Sequence, residues 1–246
     1  MSRFHVRPES VTGDRVTFDA EETRHLARVL RLRAGALVQV VDGQGHELAV
    51  RLLRVETRAA EGQIVSRGVR RVESPLDLTL VQGVVKGGKL EAIIRMATEV
   101  GVSRVQPLIA GRSIPRVEDA RVSSRVLRWQ RVAKEAAKQS GRAVIPEITR
   151  PLTLDEWIGE PRESGLLACL WERAETPLAS LLPEGPIQRA TIIVGPEGGL
   201  TEDEVLRLRS AGAVIGRLGP RILRADTAGA IGLALLQFRY GDFGVA

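Results

Sequence analysis

The chain has 246 residues, of which 43% are hydrophobic and 27% are charged, and its formal net charge is +6. That length allows one or two domains with a sizeable core. Because no run of eighteen apolar residues occurs and the N-terminal segment MSRFHVRPES has no apolar signal region, we expect no membrane-spanning helix and a soluble, cytoplasmic protein.

The first 72 residues have the alternating pattern of short β-strands, at residues 3–6, 15–18, 37–41, 46–55 and 63–69. Turn sequences rich in glycine and aspartate separate most of them. This pattern predicts a small β-barrel. A single helix is predicted within it, at residues 21–32, with its apolar side chains directed inward.

The predicted barrel segment is strongly basic, with thirteen arginines and no lysine against nine acidic residues, a net of about +4. Four basic or ionisable residues fall on its helix: Arg24, His25, Arg28 and Arg31. A solvated helix face is one interpretation. Contact with RNA is the interpretation we favour, because arginine gains affinity by displacing counterions from phosphates.

Near residues 71–75 the pattern changes to alternating strands and helices, which predicts a domain boundary and two domains, 1–72 and 73–246. Strands are predicted at 76–85, 105–109, 147–148, 166–170, 190–194 and 213–218. Helices are predicted at 90–100, at 121–140, from Thr153, from Thr201 to 211, and from Asp226 or Thr227 to 238. Such alternation is typical of an α/β domain with a mainly parallel sheet covered on both faces.

The stretch 190–237 contains two strand–loop–helix units, with loops at 195–199 and 219–225. The carboxyl ends of neighbouring parallel strands form the usual ligand crevice of an α/β sheet, so these loops predict a binding site. Glycine loops of this kind also serve simply as turns. The sequence Gly195-Pro196-Glu197-Gly198-Gly199 has neither the dinucleotide-binding nor the phosphate-loop spacing, which favours a ligand held mainly by backbone groups.

Cysteine and histidine provide little reactive chemistry. The single Cys169 lies in the apolar run 166–170, where a buried core thiol is a better interpretation than a nucleophile. The three histidines, His5, His25 and His46, are too scattered to suggest a metal site, and we expect none.

Short motifs occur in a fixed order along nearly the whole chain. In the N-terminal segment they are Arg3-Phe4, His25-Leu26, Val29 to Leu32, Gly35, and Val41 to Gly45. In the second domain they are Lys86 to Lys89, Glu91, Ala97 to Val102, Arg112-Ser113, Arg128-Trp129, Glu135-Ala136, Gln139 to Arg142, Pro146, Gly195 to Gly199, and Leu223 to Ala228. Together these motifs resemble those of the RsmE-type ribosomal RNA methyltransferases, which belong to the knotted SPOUT class.

The resemblance implies a PUA-like barrel followed by an α/β domain with a deep trefoil knot, and a homodimer to which the long helices contribute. It also implies transfer of a methyl group from S-adenosylmethionine to N3 of a uridine in 16S ribosomal RNA, within the small ribosomal subunit. Matched by position, the cofactor contacts are Leu170, Gly195, Pro196, Glu197, Gly198, Gly199, Leu218, Gly219, Ile222, Leu223, Arg224, Thr227 and Ala228.

The reaction requires removal of the N3 proton of uracil or stabilisation of the resulting anion. Asp226 or Glu197 is a candidate base, and Arg112 or Arg224 a candidate for neutralising charge on the uracil oxygens. Glu197 has an alternative role as a helix cap, and the arginines as contacts to RNA phosphate or to the second subunit. The chain has Asp226 where the family usually has glutamate and Arg95 where lysine is common, and the shorter Asp226 leaves its catalytic role open.

Uracil N3 is hidden by base pairing, so the target nucleotide must be unpaired or flipped. The predicted RNA contacts are Arg3, Arg24, His25, Arg28, Arg31, Lys86 and Lys89. Two other functions remain open: a non-catalytic RNA-binding ribosome-assembly factor that does not require S-adenosylmethionine, and an α/β enzyme that binds a small phosphorylated substrate at Lys86-Gly87-Gly88-Lys89.

Overall fold

The structure is a computed structural model that describes residues 3–69, 72–113 and 119–244, with side chains from residue 122 onward in the helix that begins at Asp119. The chain divides into two compact units. The N-terminal unit is Met1–Glu73 with Ala137–Ile145, and the C-terminal unit is Ser74–Ala136 with Pro146–Ala246. The sequence pattern assigns residues 137–145 to the second domain, whereas in the structure they group with the N-terminal unit. Residue 71, where the predicted boundary begins, lies outside the described residues.

The N-terminal unit is built on one six-stranded sheet in the order β1-β4-β5-β6-β3-β2. Neighbouring strands are antiparallel except for β1 and β4, which are parallel. The strands are β1 Arg3–His5, β2 Val11–Thr12, β3 Arg15–Phe18, β4 Leu37–Val41, β5 His46–Val55 and β6 Ala60–Val69. The predicted strands are all present, although β6 begins three residues earlier than expected and the short β2 was not predicted.

This sheet curls around a single core. The rings of Phe4 on β1 and Phe18 on β3 lie 5.9 Å apart at an interplanar angle of 82°. The two strands are four places apart in the sheet, so in a flat sheet they would be separated by about 19 Å. The edge-on ring contact therefore requires the curvature expected of a small barrel.

The predicted helix at 21–32 is shorter and changes geometry. It begins as α1, Ala20–Arg24, where the Asp19 carboxylate accepts a hydrogen bond from the Glu22 N–H at 2.8 Å. A π-helical turn follows at His25–Val29, and the helical path ends before Arg31, which has a φ of 51°. The wider turn is accompanied by complete burial of Leu26.

The Glu73 carboxylate binds the segment 137–145, which groups with the N-terminal unit. One carboxylate oxygen accepts hydrogen bonds from the backbone N–H groups of Ala143 and Val144, at 2.9 and 3.0 Å. The other accepts from Nε and Nη2 of Arg142, at 2.9 and 2.7 Å. No local sequence pattern reveals this contact, since its partners are about seventy residues apart.

The C-terminal unit contains a parallel sheet of seven strands, in the order β10-β8-β7-β12-β11-β13, with β9 also paired to β8. All of these pairings are parallel, which confirms the prediction. The strands are β7 Asp77–Gly83, β8 Arg104–Ile109, β9 Glu147–Ile148, β10 Leu152–Thr153, β11 Leu166–Leu170, β12 Arg189–Val194 and β13 Val214–Gly216.

Five helices accompany this sheet: α2 Lys89–Glu99, α3 Asp119–Ser140, α4 Leu154–Gly159, α5 Glu202–Ser210 and α6 Ala225–Tyr240. The last residues of α3 belong to the N-terminal unit. Helix α6 packs closely on the sheet: a Cβ atom on Gly232 would lie 2.3 Å from Cδ1 of Ile192 on β12. No helix in the described ranges is both long and apolar enough to cross a membrane.

The helix starts test two predictions about capping. Thr201 and Glu204 form the predicted capping box at the start of α5, with each side chain bonded to the other residue's backbone N–H. The predicted cap of α6 at Asp226 or Thr227 is wrong, because the N-cap is Arg224. Asp226 lies inside the first turn, where a carboxylate is stabilised by the positive end of the helix dipole.

The Glu73–Arg142 pair predicts a large stability effect. Glu73→Ala should lower the free energy of unfolding by about 3 kcal/mol, because it removes the carboxylate that accepts hydrogen bonds from the buried Arg142 guanidinium and from two backbone N–H groups. The matched control is Glu147→Ala, which removes an ion pair with Arg104 whose side chains are 59% and 56% exposed, and should change stability by less than about 1 kcal/mol. Urea unfolding followed by circular dichroism measures both, and equal effects would contradict the prediction.

Candidate cofactor and active site

Three loops meet at one edge of the parallel sheet. They follow β11, β12 and β13, and because β11 pairs with both β12 and β13 in parallel, the three carboxyl ends lie side by side. The loops surround a cavity of about 500 Å³, to which Val85 in the loop after β7, Lys89 at the start of α2 and the first residues of α6 also contribute. This is the crevice that the two glycine-containing loops predict.

Twelve of the thirteen residues predicted to bind the cofactor line this cavity. They are Leu170, Gly195, Pro196, Glu197, Gly198, Gly199, Leu218, Gly219, Ile222, Leu223, Arg224 and Ala228. The exception is Thr227, which is exposed and whose hydroxyl lies 3.3 Å from Oδ1 of Asp226. Of the four predicted catalytic residues, Arg224, Asp226 and Glu197 line the cavity and Arg112 does not.

The cavity also contains charged and aromatic side chains that the sequence did not single out, notably Trp171, Glu172 and Arg217. Trp171 and Arg217 follow the paired residues Leu170 and Gly216, so the pairing of β11 with β13 places them together. That pairing joins residues more than forty positions apart, and the sequence provides no signal for it. Within the described part of the chain, Nε1 of Trp171 and Nε of Arg217 are buried without a hydrogen-bond partner.

The loop at 195–199 lies directly against the end of β7. A Cβ atom on Gly83 would lie 2.3 Å from the nitrogen of Pro196, so only glycine fits there without displacing the loop. The fully buried Gln82 donates from Nε2 to the carbonyl oxygens of Gly83 and Gly195, at 3.2 and 3.3 Å. The strand end and the loop are therefore held together by packing and by a shared side-chain amide.

Glu197 is fixed as an ionised group. Its Oε1 accepts hydrogen bonds from Nζ of Lys89 at 3.1 Å and from the backbone N–H of Lys86 at 3.2 Å. Burial by itself would raise the pKa of Glu197, but hydrogen bonds from its own backbone, from Lys89 and from Lys86 outweigh burial and lower it. A carboxylate held in this way is a poor proton acceptor. Lys89, which is predicted to contact RNA, lines the cavity.

Arg112 supports the cavity from outside. Its Nη1 donates to the carbonyl oxygen of Gly198 at 3.0 Å. The neighbouring Gly111 N–H donates to Oε1 of Glu204 at 2.7 Å, which ties this loop to the capping box of α5. The geometry therefore favours a positioning role for Arg112 over the predicted catalytic role.

Asp226 and Arg224 occupy the opposite wall, at the start of α6. Oδ1 of the half-buried Asp226 accepts a hydrogen bond from the Thr227 N–H at 2.9 Å. Among the described residues, only Thr227 forms hydrogen bonds with this carboxylate. The side chain of Arg224 is exposed and forms no hydrogen bond or ion pair with any described residue. Both side chains are therefore available to a bound molecule.

The predicted RNA contacts of the N-terminal unit differ in availability. Arg24, Arg28 and Arg31 are exposed, and none has an ion pair with a described residue. Arg3 is paired with Glu47 at 3.7 Å and is only 20% exposed, and the ring of His25 lies against Phe4 at 5.6 Å. The three exposed arginines have no such contacts with described residues, and RNA contact by all five residues stays a prediction.

Cys169 is fully buried, as predicted for a core thiol. Burial, together with the nearby negative charges of Glu172 and Glu204, raises the pKa of Cys169 to about 12, so the thiol stays protonated at neutral pH. Over the part of the chain that the structure describes, no group of three or more His, Cys, Asp or Glu side chains is arranged to hold a metal ion.

Comparison with known proteins assigns the chain to a family. Residues 72–237 match the RNA methyltransferase domain, and residues 18–65 match the RNA methyltransferase PUA domain. The ribosomal RNA small subunit methyltransferase E of Bacillus subtilis is 30% identical over 94% of this chain and 90% of its own length. The chain belongs to the ribosomal RNA small subunit methyltransferase E family. This confirms the resemblance inferred from the motifs.

Other members of the methyltransferase E family agree in sequence and in structure. The Mycobacterium tuberculosis protein of that name is 33% identical over 94% of this chain and 88% of its own. The crystal structure of a ribosomal RNA small subunit methyltransferase E from Neisseria gonorrhoeae, bound to S-adenosyl methionine, superposes with a TM-score of 0.88 and 33% identity. That superposition covers 99% of both chains.

The ionised Glu197 predicts a pH-dependent contribution to stability. Because its folded-state pKa lies below the ordinary value of 4.5, the stabilisation is complete above about pH 4.5 and is lost as the pH falls through the lowered pKa. Glu197→Gln should therefore lower the thermal unfolding midpoint at neutral pH, and the difference from wild type should disappear on acidification. Glu147→Gln, in the exposed pair with Arg104, is the control and should have little effect at either pH. A difference for Glu197→Gln that grows on acidification would refute the assignment.

Proposed function

We propose that this chain transfers a methyl group from S-adenosylmethionine to N3 of a uridine in the 16S ribosomal RNA of the small ribosomal subunit. The observation that carries the proposal is the cavity at the carboxyl edge of β11, β12 and β13, in a chain that superposes over 99% of its length on a family member bound to S-adenosyl methionine. The names of the relatives supply the ribosomal substrate class.

The chemistry of the cavity suits this cofactor. Its volume of about 500 Å³ lies within the range of small-molecule sites. Within the described chain, the backbone N–H and C=O groups of Leu218, Gly219, Ile222 and Leu223 form no hydrogen bond with other protein groups. Free backbone donors and acceptors can read an adenine edge and ribose hydroxyls, and the loop spacing does not require a phosphate.

S-adenosylmethionine, when bound, supplies a methyl carbon already activated by its attachment to a sulfonium. The protein must align the uracil with that carbon and manage the N3 proton, and alignment alone can lower the barrier by several kcal/mol. We assign Asp226 as the proton acceptor, because its carboxylate lines the cavity and is bonded only to Thr227 among described residues. Arg224 lies beside it and stabilises the charge that develops on the uracil oxygens.

The other two candidate catalytic residues have supporting roles in this proposal. Glu197 holds the loop before α2 through Lys86 and Lys89, and its lowered pKa makes it unsuitable as the base. Arg112 fixes the Gly198 carbonyl from outside the cavity. The pairing of Lys89 with Glu197 also weakens the alternative of a phosphorylated small substrate at 86–89, since the ammonium already has a partner.

The RNA is recognised mainly through charge and shape. The protein has only three tryptophans, one tyrosine and four phenylalanines, so extended base stacking along a single strand has little support. The exposed Arg24, Arg28 and Arg31 provide contacts to phosphates. A folded RNA within the small subunit fits such a surface better than a short oligonucleotide, and this substrate places the reaction in the cytoplasm.

The proposal includes a homodimer. Three large apolar side chains on α6, Ile231, Leu235 and Phe238, are 38%, 43% and 71% exposed. Their spacing of four and three residues places them on one face of the helix. A second copy of the chain would cover this apolar stripe, which supports the subunit interface that the family resemblance implies.

The proposal also includes a trefoil knot in the C-terminal unit. Strand β13 lies at the edge of the sheet beside β11, whereas α6 packs against β7, β12 and α2. The connection at 217–224 must therefore cross the carboxyl ends of β11 and β12. A knot forms if that connection passes through the loops that follow those two strands, and knots are otherwise very rare in protein folds.

The direct test is methyl incorporation. The purified protein, labelled S-adenosylmethionine and unmodified small ribosomal subunits should yield label in 16S RNA, and nucleoside analysis should identify it as N3-methyluridine. Incorporation at a different atom would overturn the assignment of the uracil nitrogen. If the protein neither binds S-adenosylmethionine nor incorporates label, the result would favour a non-catalytic assembly factor that binds RNA.

Removal of Arg224 should affect chemistry more than binding. Arg224→Ala should lower kcat by about 10²-fold, because the developing negative charge on uracil loses its partner, while the Kd for S-adenosylmethionine changes little. Single-turnover kinetics and calorimetric titration measure the two quantities. Arg209→Ala, on the exposed surface of α5, is the matched control and should leave kcat unchanged. Unchanged turnover in Arg224→Ala would remove this residue from the mechanism.

A further inference from the structure

A second, smaller cavity lies in the C-terminal unit between the loop before α2 and helix α3. Its volume is about 250 Å³. The floor is apolar and buried, and consists of Val84, Val85, Leu90 and Trp129. The motif Arg128-Trp129, which the proposed reaction does not use, therefore contributes one residue to the floor and one to the rim.

The rim of this cavity carries two arginines and one carboxylate, that of Glu91, and so has a net positive charge. Arg125 and Arg128 are three residues apart on α3 and both line it. Arg128 is fixed by the Glu91 carboxylate, through an ion pair from Nε to Oε1 at 2.8 Å and a hydrogen bond donated by Nη2 to Oε2 at 2.9 Å. Arg125, in contrast, forms no hydrogen bond or ion pair with any residue in the described ranges, so its guanidinium is available to an anion.

Two glycines leave the third side of the cavity open. A Cβ atom on Gly87 or on Gly88 would have no heavy atom within 4 Å. The backbone of this loop can therefore be approached closely by a ligand. Gly88 has a φ of −80°, which other residues adopt readily, so a side chain can be introduced there without backbone strain.

The two cavities share one wall. Val85 lines both of them and is itself buried. A group in the second cavity therefore lies next to the cofactor cavity but is separated from its contents by the Val85 side chain. The methylated base must reach the cofactor cavity, and a base in the second cavity would lie next to that same cavity.

We propose that the second cavity binds one nucleobase of the RNA strand adjacent to the methylated uridine, with Arg125 on its phosphate. This inference rests on the proposed function. A volume below that of drug-sized ligand sites suits a single flat base, whose apolar faces match the buried floor. The unpaired Arg125 at the rim and the net charge of +6 favour a polyanion over an apolar side chain of a protein partner.

Two variants test the two parts of this subsite. Gly88→Leu places four carbon atoms at the open side and should raise KM for small ribosomal subunits on the order of tenfold, because the base no longer enters. Arg125→Ala should also raise KM. It should lower the slope of log KM against log salt concentration by about 0.7, which is the contribution of one phosphate contact on a single strand. Arg125→Lys should restore the salt dependence. The control is Arg131→Ala, an exposed arginine of α3 outside the cavity, with KM near wild type.

The outcomes separate this inference from the proposed function. In Gly88→Leu and in Arg125→Ala, kcat and the Kd for S-adenosylmethionine should stay near wild type. Suppose that wild-type protein incorporates methyl groups but Gly88→Leu and Arg125→Ala keep the wild-type KM. The subsite is then overturned and the function stands. The same conclusion follows if Arg131→Ala raises KM as much as Arg125→Ala does. If Gly88→Leu instead changes the sedimentation coefficient, the cavity belongs to a subunit interface. If wild-type protein itself transfers no methyl group, the proposed function fails.

Discussion

The close contact between the end of β7 and the loop that follows β12 sets the geometry of the cofactor cavity. Gly83 allows the Pro196 nitrogen to approach to a distance that any side chain would prevent. Since β7 and β12 are paired in parallel with Gln82 beside Val194, the loop leaves the sheet at a fixed point. The Gln82 amide then holds the Gly195 carbonyl, so the first residues of the loop have little freedom. The remaining contacts depend on this placement, because Glu197 reaches Lys89 and Gly198 reaches Arg112 only when the loop lies against β7.

Charges around the cavity fall into two groups with different physical roles. Glu197 is bonded to Lys89 and Lys86, and its lowered pKa shows that the folded protein stabilises the ionised form. Such a group joins two loops and exchanges protons poorly. Asp226 and Arg224, at the start of α6, have few protein partners and are available to a substrate. The distinction is one of partners rather than of residue type, since Glu197 and Asp226 are both carboxylates that line the same cavity.

Local features of the fold were predictable from the sequence, because they depend on near neighbours in the chain. Thr201 and Glu204 are three residues apart, and their capping box forms as predicted. The start of α6 was misplaced because aspartate is favoured both at the cap and inside the first turn, and spacing alone does not distinguish these positions. Contacts between distant residues had no such signal. The attachment of segment 137–145 through Glu73 and the placement of Trp171 and Arg217 in one cavity, just after β11 and β13, both depend on tertiary structure.

Several polar groups that line the cavity lack partners within the described part of the protein. In the described chain, the buried Nε1 of Trp171 and Nε of Arg217 have no acceptor, and the loop 218–223 forms no backbone hydrogen bonds. Buried donors without partners lower the stability of the folded state, so they are expected mainly where a function such as ligand binding uses them. In the sheet interior, apolar side chains such as Val81, Ile192 and Ile193 are fully buried between paired strands. A rigid parallel sheet thus supports a loop cluster with low intrinsic stability, and a ligand that satisfies these groups stabilises the folded state in proportion to its affinity.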